Sequence, residues 1–221
     1  MMPGVSDLLA PLTKPRLRGV LHFWAFLASL VSGAVLLWLA PRGRAMTAAA
    51  IYGASVSALL GVSALYHRVH WTAGARRWMG RLDHAMIAFL IAGTFTPFGM
   101  HVLTEPTRTA LLTTVWVGAL IAAGLHLLWI DAPKWLSALL YVVLGWTGVA
   151  AMPDLVARAG WTPTVLLAAG GLCYSAGAAV YALRRPDPLP AVFGYHEVFH
   201  ALVVVAAGTH YAAVALCILP A

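Results

Sequence analysis

Asparagine and glutamine are absent from this 221-residue sequence, cysteine occurs twice, and charged residues make up 10% of the chain. An ordinary soluble chain is roughly 25% charged. So little charge excludes a cytosolic globular enzyme and a disordered chain. Cys173 and Cys217 both lie inside apolar stretches, so neither a disulfide framework nor a Cys-x-x-Cys metal or redox motif can be built, and the two read as small buried hydrophobes. There is no internal repeat and no low-complexity tract. Residues before position 21 include Lys14, Arg16 and Arg18 but no separate short apolar stretch, and no A-x-A-like cleavage site follows Ala40. A removable signal peptide is therefore not expected.

What the chain does have is hydrophobicity, at 62% of residues, more than a soluble domain of this size can bury. A single polytopic membrane domain over residues 1–221 is the expectation. A bilayer crossing takes about 20 apolar residues. Apolar stretches bounded by Pro, Gly and charge clusters fall at about 21–40, 46–66, 84–101, 109–129, 135–151, 163–183 and 195–219, after an N-terminal segment of residues 1–20. In lipid each must satisfy its own backbone amides and so be helical. The fold class is all-α, a seven-transmembrane-helix bundle. Pro97 is expected to kink the third helix.

The net charge of +7 is read as loop topology, and no nucleic-acid partner is expected. With the N-terminus inside, the cytoplasmic set is Lys14, Arg16, Arg18, Arg68, Arg76, Arg77, Arg81, Lys134, Arg184 and Arg185, against Arg42, Arg44, Arg108 and Arg158 outside. The excess puts the N-terminus in the cytoplasm and, after seven spans, the C-terminus outside. Interfacial Trp24, Trp38, Trp71, Trp78, Trp129, Trp135 and Trp161 fall near helix ends, as aromatic belts do. The lack of Asn and Gln and the excess of Arg over Lys suggest a GC-rich genome and a bacterial inner membrane.

Polar residues that hydropathy cannot explain gather at the cytoplasmic end. Ser63 and His67 close the second helix there, Asp83 and His84 open the third, and His196 and His200 open the seventh. Ionisable groups at such positions mark a site with partners. His196 and His200 are four apart, so both imidazoles project from one helix face and can chelate one ion. His67 would complete a three-histidine set with an open fourth position, the pattern of catalytic zinc. Imidazole also suits copper, nickel or iron. Asp83 would then orient or deprotonate a metal-bound water, and Ser63 could hydrogen-bond that water or the substrate. Plainer readings stand beside these: packing histidines, an N-cap for Asp83 and a backbone-bonded hydroxyl for Ser63. His84 points about 100° away from Asp83 and reads as interfacial or packing. His22, His70 and His126 fall toward the same end, and His101 and His210 toward the other. The cluster Arg68, Arg76, Arg77 and Arg81 is a topology determinant, with contact to anionic lipid headgroups as its alternative.

These residues also carry a resemblance. S-A-L-Y-H at the end of the second helix, D-H-A-M-I-A-F-L-I-A-G-T-F-T-P-F in the third and H-E-V-F-H-A-L-V-V in the seventh resemble the hemolysin III family, which belongs with the progestin and adiponectin receptors. The likeness covers essentially the whole chain. It implies a seven-helix membrane protein with a cytoplasmic N-terminus and zinc held by His67, His196 and His200, Asp83 and Ser63 matching the family's remaining polar positions. The wider grouping includes alkaline ceramidases, so hydrolysis of lipid amides or esters is the implied activity, with membrane lipids as partners and substrate. Zinc would lower the pKa of its bound water toward ~7 and Asp83 would accept the proton. Three rivals remain: a membrane-lytic protein, a sensor whose helices zinc staples together, and a metalloprotease, since H-E-V-F-H matches H-E-x-x-H with Glu197 as general base.

Overall fold

A computed structural model describes residues 14–129 and 133–219. Residues 1–13 of the expected N-terminal segment lie outside the described residues. The chain is a helical bundle, with α1 Val20–Leu39, α2 Arg44–Arg68, α3 Ala73–His101, α4 Thr107–Leu128, α5 Lys134–Trp146, α6 Met152–Ala159, α7 Trp161–Leu183 and α8 Tyr195–Ile218. A 3-10 turn at Thr147–Ala151 joins α5 to α6, and the three pieces together make the fifth span, Trp135–Ala159. Among the described residues seven helical spans are long and apolar enough to cross a membrane, and the chain is an integral membrane protein. Large apolar side chains face outward, including Trp38, Leu128 and Leu183 at 83%, 87% and 73% exposure. That surface is tolerable where the surrounding solvent is lipid.

α3 is the innermost helix: 61% of its apolar stretch is buried, against 17% for α1 and α7. It packs on α2, α4, α5 and α8, while α1 covers α2 and α8 and α7 covers α8 and α5. Cys173 and Cys217 are free thiols. α3 runs without interruption through Pro97. The hydroxyl of Thr96 donates to the Ala92 carbonyl at 2.8 Å and accepts from Trp116 Nε1 at 3.1 Å, so this buried hydroxyl is satisfied within the bundle.

Two boundaries differ from the hydropathy reading. The third helix was expected from residue 84 but begins at Ala73, capped by Thr72, whose hydroxyl accepts from the Ala75 backbone N–H at 3.4 Å. Hydropathy falls where Arg76, Arg77 and Arg81 begin, but arginine is a good helix former whose long stem lets its charge leave the apolar layer. Asp83 and His84 therefore sit about three turns inside α3 rather than at its start, and the N-cap reading of Asp83 is wrong. The fifth span, expected to end at 151, continues to Ala159 through the 3-10 turn. Thr147 bonds back to the Leu144 carbonyl at 2.7 Å, Pro153 starts α6, and Gly148 lets Phe95 of α3 approach so closely that a Cβ would lie 2.3 Å from its ring.

Candidate metal centre

The C-terminal end of α2, the third turn of α3 and the first turns of α8 meet at the arginine-rich end of the bundle. On α2 the four-residue spacing turns Ser63 and His67 inward, and both are buried at 3% and 7% exposure. On α8 the same spacing turns His196 and His200 toward α2. The result is a convergence of three imidazoles whose ligand atoms all lie within 4.8 Å of one another. His67 Nε2 and His196 Nε2 are 3.2 Å apart. Two nitrogens each about 2.05 Å from a tetrahedral zinc would be roughly 3.3 Å apart, so this spacing fits the ion. His200 Nδ1 is buried with no hydrogen-bond partner, a condition that normally calls for an ion, water or ligand nearby. Asp83 Oδ2 approaches His67 Nε2 at 3.7 Å, and Ser63 faces the Asp83 carboxylate. All five residues singled out in the sequence are thus brought to one place.

The histidines stand at one end of a cavity of about 430 Å³ bounded by α2, α3, α5, α7 and α8. Its deeper wall is apolar, with Ile87, Leu90, Phe95, Leu167 and Val203. His210 lies ten residues beyond His200, about 15 Å along α8. It is outside the histidine cluster, and its Nε2 bonds the Leu167 carbonyl at 3.0 Å. His84 packs as expected but also lines the cavity, with Nδ1 2.7 Å from the Gly80 carbonyl and Nε2 3.3 Å from the Tyr181 hydroxyl.

Sequence reasoning missed the strap that leads into α1. Lys14 donates to the His67 carbonyl, Arg18 pairs with Glu197, Gly19 abuts His67, and the His22 ring stacks flat on His200 at 3.7 Å and 6°. Burial, together with the charges of Arg76, Arg18 and Arg68, lowers the Lys14 pKa from its ordinary value. The available signal was His22 itself, an ionisable residue in the first turn of an apolar helix, at the same depth as the other histidines. Gly19 has φ +77°, and a Cβ there would lie 2.6 Å from the His67 Cβ. Gly19→Ala is expected to cost about 1–2 kcal/mol from the left-handed backbone alone. That corresponds to a thermal midpoint roughly 2–8 °C lower; an unchanged midpoint would show that the strap does not constrain His67.

A family model, Haemolysin-III related, matches residues 11–211. The chain belongs to this haemolysin-III-related family. Hemolysin-3 of Bacillus cereus is 30% identical over 176 residues, covering 80% of this chain and 77% of that protein. The Hemolysin-3 homolog of Bacillus subtilis is 32% identical, over 56% of this chain and 55% of the relative. The heptahelical transmembrane protein ADIPOR2 of rice is 34% identical, over 61% and 65%. The haemolysin-III-related chain therefore sits within the progestin and adiponectin receptor superfamily, and the matched region contains every residue of the histidine cluster and its strap from Lys14 on.

Proposed function

We propose that this protein holds a zinc ion at His67, His196 and His200 and hydrolyses the amide or ester bond of an acyl lipid, in the manner of a ceramidase. The observation that carries this reading is the convergence of three imidazoles, His67 and His200 buried and His196 half-buried, beside a carboxylate at the head of an apolar cavity. When bound, zinc supplies Lewis acidity and acidifies water. Asp83 takes a proton from the attacking water and returns it to the leaving amine or alkoxide, as a general acid–base group does. Ser63, beside Asp83, orients the polar head of the reacting group by hydrogen bonding. The apolar wall beyond holds the acyl chain and excludes bulk water from it. The site faces the cytoplasm of a bacterial inner membrane, because the arginine-rich end is the retained one.

Glu197 argues against the protease alternative. Its carboxylate, 1% exposed, accepts from the Gly194 backbone N–H at 2.8 Å, at the start of α8, and pairs with Arg18. Both partners hold helix and strap together, so the H-E-x-x-H match is carried by a structural glutamate.

The test is fatty-acid release by detergent-purified protein offered ceramides and glycerolipid esters, with and without a zinc chelator. Chelator-sensitive release is expected from wild type and from Glu197→Gln, the variant unfolding at lower temperature because a buried ion pair is broken. No release from any acyl lipid would sink the hydrolase. Loss of release in Glu197→Gln with fold and metal intact would make Glu197, rather than Asp83, the general base of the hydrolysis.

A further inference from the structure

The mouth of the cavity carries a charge pattern that the hydrolytic reading leaves unused. Lys14 and Arg18 from the strap and Arg76 from the first turn of α3 line the same cavity as the histidines. Arg68, the last residue of α2, joins Arg76 and Arg18 within electrostatic range of Lys14. Among the described residues Glu197 is paired with Arg18, while Lys14, Arg68 and Arg76 have no ion-pair partner. Lys14 reaches the His67 carbonyl, Arg68 lies over the Phe23 ring at 5.4 Å and Arg76 over the Tyr66 ring at 5.8 Å.

Fixing topology requires only that positive charge stay on one side of the membrane, and well-separated, solvated positions would serve. Drawing cations together at the entrance of a low-dielectric cavity adds mutual repulsion and focuses a positive field into it. An anionic ligand offsets both. Arginine and lysine side by side are the usual holders of phosphate. Position along α3 gives the ligand its register. Asp83 lies seven residues deeper than Arg76, about 10 Å along the axis, and Ile87, Leu90 and Phe95 lie deeper still.

We propose that the cavity takes a phosphorylated acyl lipid, its phosphate held at the mouth by Lys14 and Arg76 with Arg18 beside them, and its chain lying past the histidines along the apolar wall. This rests on the acyl-lipid reading above and narrows its substrate class from acyl lipids in general to phosphate-bearing ones.

The experiment measures binding to full-length protein in a maltoside detergent, using ether analogues that cannot be hydrolysed. The probes are a 1-O-alkyl glycerol 3-phosphate, the matching 1-O-alkyl glycerol, and glycerol 3-phosphate without a chain. Wild type is expected to prefer the alkylated phosphate over the alkyl glycerol by about tenfold or more. Lys14→Gln and Arg76→Gln should each narrow that preference several-fold, and the double variant should erase it, while Arg108→Gln at the opposite end leaves it unchanged. Equal wild-type affinity for the two alkyl compounds, or a preference that survives in the double variant, would overturn the headgroup assignment alone. Glycerol 3-phosphate binding as tightly as its alkylated form would make the mouth a site for free phosphate esters and overturn the lipid assignment. Failure of both alkyl compounds to bind would remove the acyl-lipid reading as well.

Discussion

Alanine at His67, His196 or His200 is expected to empty the metal centre, each substitution alone being sufficient. The three imidazoles come from two helices, and their ligand atoms lie within 4.8 Å of one another, so a bound ion is a chelate whose affinity depends on all three. Losing a group that merely orients a ligand costs typically 10–100-fold in affinity. Losing a ligand itself should cost more than about 100-fold, enough to strip the ion during purification. Elemental mass spectrometry on detergent-purified protein should find about one zinc per chain in wild type and a small fraction of that in each variant, with hydrolysis reduced to background. His101→Ala, an exposed position at the opposite end of α3, should retain the full complement. Each variant also removes an inward side chain, so helix content must be compared in parallel. Metal that persists in all three variants, or wild type without stoichiometric metal, would reduce the histidines to packing residues.

The cluster was legible in the sequence because helical spacing and membrane depth are both read from position alone. His196 and His200 are four apart at the start of the seventh apolar stretch, His67 closes the second, and the end of each stretch fixes its level. What position could not show was the end of α3. Hydropathy stops at the first arginines, whereas the helix continues beyond them to Ala73, so an N-cap role stayed open for Asp83 beside the catalytic one, although it is an inward-facing residue of a long helix. The fifth span was missed in the same way at its far end, where the 3-10 turn shifts the helix register and local pattern says nothing about Phe95 pressing on Gly148. Glu197 was left open by its sequence. Its motif offered a catalytic reading beside the favoured hydrolase, whereas an arginine 179 residues earlier in the chain claims its carboxylate, and no local pattern records a pairing that distant. The stacking of His22 on His200 is hidden for the same reason, since it depends on how α1 lies across α8.

Asp83→Asn is expected to separate holding the metal from doing the chemistry. The carboxylate stands 3.7 Å from His67 Nε2, outside the three-imidazole set, so the variant should keep its zinc within a modest factor, as expected of a group that supports a ligand rather than serving as one. Asparagine has nearly the same volume and keeps an oxygen toward Ser63, so the packing of α2 against α3 should survive. It cannot accept a proton at neutral pH. General acid–base groups contribute typically 10²–10⁴-fold, and the rate of fatty-acid release should fall by about that factor with KM little changed, because the apolar wall that binds the chain is untouched. This outcome also discriminates the hydrolase from a sensor. If zinc merely staples α2 and α8 together, a neutral, isosteric residue at position 83 leaves that staple in place, and any ligand-dependent change in helix packing persists at wild-type strength. A variant that loses its metal would instead make Asp83 part of the ion's coordination, with the fall in rate following from an empty site. One that keeps both metal and full hydrolysis would take the proton transfer away from Asp83, leaving Ser63 and His84 as the neighbouring groups on the cavity wall able to carry it.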